Sequence, residues 1–283
     1  MPDIAIITDT ASDLRTELRE QYSIQAVPLV VRFGKDEYLE CDLPLDDFWT
    51  RTQQGPPYPG TSQPSVGMFE QAFAQHVEQG KEVICVTVTS KHSGTFNSAY
   101  AASQKFPGKV TVFDTLSLSL AEGYFAIAAA RAAAEGRTVE EIIELLGDMQ
   151  ARIHFFFALD TIEYLRRGGR ADSVMPLLDR IVRVLNIKPV LNVVDGQITP
   201  MGAARSHAGA ARRLLDEIAK YAPGEMLMVL HSRLPDEASN LAQALAERLD
   251  FPRERIMVGE IGPVLSCHAG PRVIGAAIVQ SEV

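Results

Sequence analysis

The stretch Ser90–Tyr100, SKHSGTFNSAY, follows the apolar run VICVTV and sets Ser93, Gly94 and Thr95 ahead of a helical pattern. Hydroxyls beside the unpaired N–H groups of a helix start suit a carboxylate or phosphate, because that helix end carries partial positive charge. The same residues can simply cap the helix. A serine in such a place becomes a nucleophile only where a base reaches it. A second stretch, GTSQPS at Gly60–Ser65, repeats this chemistry ahead of Phe69 and Phe73. Thr61 and Ser93 are therefore the candidate pair for one shared anion, against the alternative of two separate helix caps.

Other residues invite a chemical reading. TDTASDL places Asp9 and Asp13 after an apolar run, where two aspartates can bind Mg²⁺; their spacing matches no metal motif, and capping is the simpler role. LRRGGRAD gathers Arg166, Arg167 and Arg170 around a glycine pair, with Lys188 and Arg205 following in the same half of the chain. Guanidinium forks at such a turn suit phosphate or carboxylate recognition or an acidic partner; a solvated basic turn is the plainer reading. His268, in SCHAGPR, is read as a hydrogen-bonded structural histidine and Cys267 as a small buried residue.

Several classes are excluded or unsupported. There is no GxSxG elbow, no GxxxxGK[ST] loop and no GxGxxG fingerprint. The six histidines show no HxH, HExxH or HxxxH spacing, so a metal site is not expected. A net charge of −9 argues against general affinity for nucleic acid or anionic membranes. Three widely spaced cysteines, no basic-apolar leader and no long apolar run point to a cytoplasmic protein without membrane contact.

The elements that must position these residues divide the chain. Strands are expected at Ile4–Ile7, Val27–Val31, Val83–Val88 and Val110–Phe113, alternating with helices that start near Leu14, Val66, Ser117 and Glu140. This order predicts an α/β fold with a parallel sheet. HFFFALDTIEYL reads as a strand and Asp172–Leu185 as a helix, while IKPVLNVVDGQITP reads as a hairpin turning at Asp195-Gly196. His207–Tyr221 and Asp236–Leu249 read as helices around the strand MLMVL, and the C-terminal stretch as strand and loop. The expected domains are 1–153 and 154–283.

In order, ITDTASDL, GTSQPS, SKHSGTFNSA, IEYLRRGGRAD, IKPVLNVVDGQI and GPVLSCHAGP resemble the DegV family of bacterial fatty-acid-binding proteins nearly end to end. The resemblance implies an N-terminal parallel-sheet α/β domain and a C-terminal α/β domain with a mixed, largely antiparallel sheet. It implies a lipid carrier without catalytic residues, metal or cofactor, holding one long-chain fatty acid with its tail buried. Some members present that carboxyl to a separate ATP-dependent fatty acid kinase, which makes an acyl-phosphate for phospholipid synthesis. By motif position Thr61, Ser93 and His268 would hold the carboxylate, and Arg170 and Arg205 would lie near the head group or the kinase-facing surface. Phe155–Phe157 and Ile278–Val279 are candidates for the tail tunnel. The competing reading is a serine hydrolase or acyltransferase with Ser93 as nucleophile and His268 as base. Cys267 stands where the family usually has threonine, and SHAGA follows Arg205 where basic residues are usual, so kinase docking carries less support than lipid binding.

Overall fold

A computed structural model of the chain describes residues 3–169, 175–182 and 187–282. The chain separates into two compact units: Met1–Ala151 with Gly262–Val264, and Arg152–Ile261 with Leu265–Val283.

The first unit runs β1 (Ile4–Asp9), α1 (Thr16–Gln21), β2 (Ile24–Val27), β3 (Val30–Phe33), β4 (Asp36–Leu39), α2 (Leu45–Gln53), β5 (Pro59–Ser62) and α3 (Val66–Val77). It continues with β6 (Glu82–Thr87), α4 (Thr95–Ser103), β7 (Val110–Asp114), α5 (Ser119–Ala134) and α6 (Val139–Arg152), whose last residue opens the second unit. β2-β1-β6-β7 form a fully parallel sheet. Ile6, Ile7, Val83, Ile84, Cys85 and Val86 are all buried, as a parallel sheet covered on both faces requires. Phe69 and Phe73 of α3 and Ala99 and Ala102 of α4 fill one face. The alanine-rich α5 lies on β1 and β6, its small side chains allowing close approach.

The single strand expected at Val27–Val31 is two strands in two sheets. Pro28 has no N–H to give a ladder, so the parallel strand stops at Val27. The chain restarts as β3 between β4 and β5 in a small antiparallel sheet that sequence periodicity did not predict. Leu29 N–H meanwhile donates to the Thr10 hydroxyl at 3.0 Å. α2 seats Phe48 and Trp49 in the interior, and Arg51 of the same helix lies over the rings of Phe33 and Tyr38.

The second unit contains β8 (Ile153–Ala158), α7 (Glu163–Gly168), α8 (Met175–Val182), β9 (Lys188–Val194), β10 (Gln197–Ala204), α9 (His207–Ile218), β11 (Gly224–His231), α10 (Pro235–Leu249), β12 (Met257–Glu260), α11 (Pro263–Ala269, whose first residues belong to the first unit) and β13 (Ile274–Gln280). Its six-stranded sheet has the order β10-β9-β8-β13-β11-β12 and is antiparallel except at β11–β12. The two-residue turn forms at Asp195 (φ 48°) and Gly196 (φ 77°), the left-handed pair a I′ hairpin needs.

One expectation needs correcting. SCHAGP was read as strand and loop, yet Pro263–Ala269 is a short helix that starts on a proline, whose missing N–H costs nothing at that position.

Strand alternation sorts the apolar residues proposed for a tunnel. Phe156 and Ile278 sit in the core shared with α9 and α10. Phe155 and Phe157 point to the opposite face, their ring centroids 5.6 Å apart, and Ala277 and Val279 are their neighbours on β13. The runs Phe155–Phe157 and Ile278–Val279 therefore do not act as blocks.

Candidate functional site

Within the first unit, the loop carrying Ser93 leaves the carboxyl end of β6 and is tied to the ends of both neighbouring strands. Val88 N–H donates to Asp9 Oδ2 at 2.9 Å, and Ser90 N–H to Asp114 Oδ1 at 3.2 Å. Those two aspartates close β1 and β7, so carboxylates at the carboxyl ends of the two strands flanking β6 anchor the loop. This is where open α/β sheets collect ligands. Asp114 drew no attention in the sequence, although an acid closing a strand was the available signal.

Gly94, not Ser93, is the N-cap of α4, and no side chain caps this helix. Ser93 Oγ lies 2.8 Å from Thr95 Oγ1 and accepts from Thr95 N–H at 3.3 Å. It thus takes the first helix-start N–H, not the second or third that an N-cap side chain takes. Thr95 is not a base, so these bonds leave the Ser93 hydroxyl unactivated for attack.

The second hydroxyl loop meets the first through one residue. Gln63 Nε2 donates to Ser98 Oγ of α4 at 3.2 Å, and its amide lies over Gly94. Thr61 stands differently from expectation. It lies in β5, paired with Val31, and Ser65 is the residue that caps α3, accepting from Met68 N–H at 3.3 Å. Gly60–Ser62 extends because β3 offers an edge to pair with, which a local reading of GTSQPS does not reveal.

Behind the Ser93 loop lies a set of buried carboxyls. Asp9 caps the Thr10–Ser12 turn, accepting from Ala11 N–H at 2.9 Å in addition to Val88 N–H. Asp13, in the left-handed region (φ 51°), accepts from the Ser119 hydroxyl at 2.6 Å and from Gly262 N–H at 2.8 Å. Glu40 accepts from Val264 N–H at 2.8 Å, and Glu122 from the Thr8 hydroxyl at 3.3 Å. Burial pushes Asp9 up to about 6, Asp13 to about 7 and Glu40 to about 8, with carboxyl–carboxyl repulsion adding to the last two. Burial, reinforced by Asp9 and Asp13, also raises Glu122 well above the usual carboxylate range. Among the described residues, no group of three or more His, Cys, Asp or Glu is disposed to hold a metal ion. The hydrogen bonds of Asp9 make it a cap and loop anchor, and that of Asp13 makes it the acceptor that holds Gly262. Glu40 and Glu122 were not singled out in the sequence; a lone acid in an alanine-rich helix was the only signal for Glu122.

In the second unit, the SCHAGPR segment is gripped along its length by the segment from Asp160 to Gly168. The bare Cα of Gly168 admits His268, since a Cβ there would lie 2.2 Å from His268 Nδ1. A Cβ on Gly270 would likewise meet the Tyr164 ring at 2.6 Å, and Arg272 Nε stands 3.9 Å from Asp160 Oδ1. His268 is half-buried at the end of α11, with Cys267 buried beside it. Arg205 is exposed just before Ser206, which caps α9 by accepting from Gly209 N–H at 3.1 Å. Arg170 lies outside the described residues.

No helix among the described residues is long and apolar enough to cross a membrane. The profile of the DegV family, described as uncharacterised proteins, matches residues 3–281. A DegV domain-containing protein of Deinococcus radiodurans is 33% identical over 279 residues, covering 97% of this chain and 98% of that one. Among solved structures, a DegV family protein from Thermus thermophilus described by its fatty acid binding is 30% identical, with a TM-score of 0.91 over 99% of this chain and 100% of that one. A stearic acid-binding protein from Eubacterium ventriosum is 27% identical, with a TM-score of 0.88 over 99% of this chain and 98% of that one. DegV of Bacillus subtilis, described as a fatty acid binding protein, is 28% identical, with a TM-score of 0.85 over 99% of this chain and all of that one. A family match across nearly the whole length, joined to the parallel and mixed sheets described above, establishes that the chain belongs to the DegV family.

Proposed function

We propose that this protein binds one long-chain fatty acid and acts as a carrier, with no chemistry of its own. The observation that carries this reading is the hydroxyl-bearing loop at Ser93, anchored by Asp9 and Asp114, in a chain so similar to structures described as fatty acid binding. Ser93 and Thr61, both in the first unit, donate to the carboxylate. Hydroxyl and backbone donors satisfy such a carboxylate without a full countercharge. The tail is taken out of water against apolar side chains. Each methylene buried there contributes about 0.8 kcal/mol. In the finer form of this reading, a separate ATP-dependent kinase takes up the presented carboxyl and converts it to an acyl-phosphate, with Arg205 and Arg170 on the docking side.

Native mass spectrometry with lipid extraction tests the carrier reading. The purified protein is expected to carry one fatty acid; protein that is empty, and stays empty with oleate or palmitate, would overturn it. Ser93→Ala is expected to weaken fatty acid affinity about tenfold, the worth of one hydrogen bond to a charged group, with an unchanged circular dichroism spectrum. Unchanged affinity removes Ser93 from the site. Gly94→Ala probes the link between the two loops, because its Cβ would stand 2.2 Å from Gln63 Oε1. Expulsion of the Gln63 amide is expected to raise hydrogen exchange across residues 60–65 and to lower affinity with it. Wild-type exchange and affinity in this variant would separate the two loops.

A further inference from the structure

Asp9, Asp13, Glu40 and Glu122 are buried together in the first unit, and among the described residues no lysine, arginine or histidine neutralises any of them. Two of the four, Asp9 at the end of β1 and Glu122 in the first turn of α5, are within hydrogen-bonding reach of each other. Neither has any exposed surface.

The donors available to this pair are unequal. Asp9 Oδ1 accepts from Ala11 N–H and Asp9 Oδ2 from Val88 N–H, each at 2.9 Å. Glu122 Oε1 accepts the Thr8 hydroxyl at 3.3 Å, and no donor among the described residues reaches Glu122 Oε2. A buried carboxylate oxygen without a donor is costly, and two facing carboxylates repel. One proton removes both costs: Glu122 O–H donates, and Asp9 accepts it as a third hydrogen bond. The proton stays on Glu122, because the anion is better satisfied where two backbone N–H groups already point. Partial positive charge at the start of α5 favours an ionised Glu122, but it does not outweigh complete burial beside Asp9 and Asp13. The other groups on the strands against α5 do not supply a countercharge. Cys85 of β6 is a thiol kept neutral by burial, Asp114 of β7 accepts from Ser90 and Leu116 N–H, and β2 carries no titratable side chain.

Asp9 Oδ2 is the atom that holds Val88 N–H, where the Ser93 loop departs from β6. An ionised carboxyl accepts such a bond more strongly than a neutral one. The state of Glu122 therefore reaches the loop through Asp9. We propose that Glu122 is a positioning residue: as a neutral acid it hydrogen-bonds to Asp9 and keeps Asp9 an anion, which fixes the root of the Ser93 loop. As a statement about ligand affinity this rests on the carrier reading; the protonation and the anchoring do not.

The experiment compares the full chain with Glu122→Gln and Glu122→Leu at pH 7. Glutamine keeps a donor for Asp9 and an acceptor for Thr8, whereas leucine keeps the volume and neither group. The infrared difference between wild type and Glu122→Gln is expected to show the C=O stretch of a protonated carboxyl and no carboxylate band. Amide exchange at Val88, followed by NMR, is expected to be unchanged in Glu122→Gln and about tenfold faster in Glu122→Leu. Ser90 N–H, held by Asp114, is the internal control and is expected to exchange as in the parent. Fatty acid affinity is expected to follow Val88, kept in Glu122→Gln and about tenfold weaker in Glu122→Leu. A carboxylate band in place of the carboxyl band, or Val88 exchange that is the same in both variants, overturns the proposal. Should Glu122→Leu fail to fold, Glu122→Met takes its place and the same outcomes decide. Protein that meets the infrared and exchange expectations yet never holds a fatty acid would sink the carrier reading and leave the role of Glu122 standing.

Discussion

Between pH 6.5 and pH 8.5 the protein is expected to lose stability as the pH rises, and the buried carboxyls of the first unit are the cause. Asp13 is pushed up to about 7 and Glu40 to about 8, chiefly by burial, while the same side chains titrate near 4 in an unfolded chain. Across this window the folded protein binds more protons than the unfolded one, so stability falls with pH. Their contribution is full below the unfolded pKa and is lost as the pH passes the folded values. His76, His154 and His231 act in the opposite sense, because burial lowers their pKa values and favours the neutral ring. Their opposing effect fades within about a unit above pH 6.5, the value of the unfolded ring, so it offsets part of the loss at the start of the window. The expected net loss is on the order of 2 kcal/mol, or roughly 4–8 °C in melting temperature. Glu40→Gln and Asp13→Asn keep an acceptor for Val264 N–H and Gly262 N–H but cannot ionise, so each is expected to flatten the profile. A melting temperature that is constant from pH 6.5 to 8.5 in the parent protein, or equally steep in both variants, would show that these carboxyls are not buried as described.

The second large effect is expected at Gly123. It lies inside α5, where alanine is intrinsically better by about 1 kcal/mol. Propensity alone therefore predicts stabilisation. A Cβ at Gly123 would sit 2.7 Å from Leu14 Cδ2 and 2.8 Å from the carbonyl oxygen of Ser12. A side chain can turn aside, but the Ser12 carbonyl belongs to the turn capped by Asp9 and cannot retreat without moving the cap. Gly123→Ala is expected to destabilise by about 1–3 kcal/mol, the cost of forcing extra volume into a packed contact. Gly147, exposed in α6 with nothing within 4 Å of its would-be Cβ, is the internal control. Gly147→Ala is expected to stabilise by about 0.5–1 kcal/mol. Urea midpoints for the two variants decide the matter; equal stabilisation in both would mean that α5 does not approach the turn this closely.

Much of the architecture was legible in residue order because its causes are local. Apolar runs bounded by turn residues marked β1, β6 and β7, and the helical repeat of Val66, Phe69, Phe73 and Val77 marked α3. Asp195-Gly196 specified its own hairpin turn, since the left-handed pair needs only those two residues. Family membership was legible too, because it rests on motifs and their order. Where the reading failed, the deciding partner lay far away in the chain. Thr61 extends into a strand because β3 pairs with it, and Val27–Val31 divides because its two halves serve different sheets. Phe156 and Phe157 are adjacent in sequence yet face opposite sides of a sheet whose neighbours come from residues more than thirty positions away.

Residue types and spacing by themselves determined that Ser93 stands in a hydroxyl-rich loop between a strand and a helix, in a chain without a nucleotide or metal motif. Tertiary structure alone decided what surrounds that loop. Asp9 and Asp114 anchor it from neighbouring strands, and Gln63 joins it to the second hydroxyl loop. Asp13, Glu40 and Glu122 gather behind it, their pKa values raised chiefly by burial. The physical reason is that desolvation and shared hydrogen bonds depend on which side chains are brought together in space, and those brought together here are up to 249 positions apart.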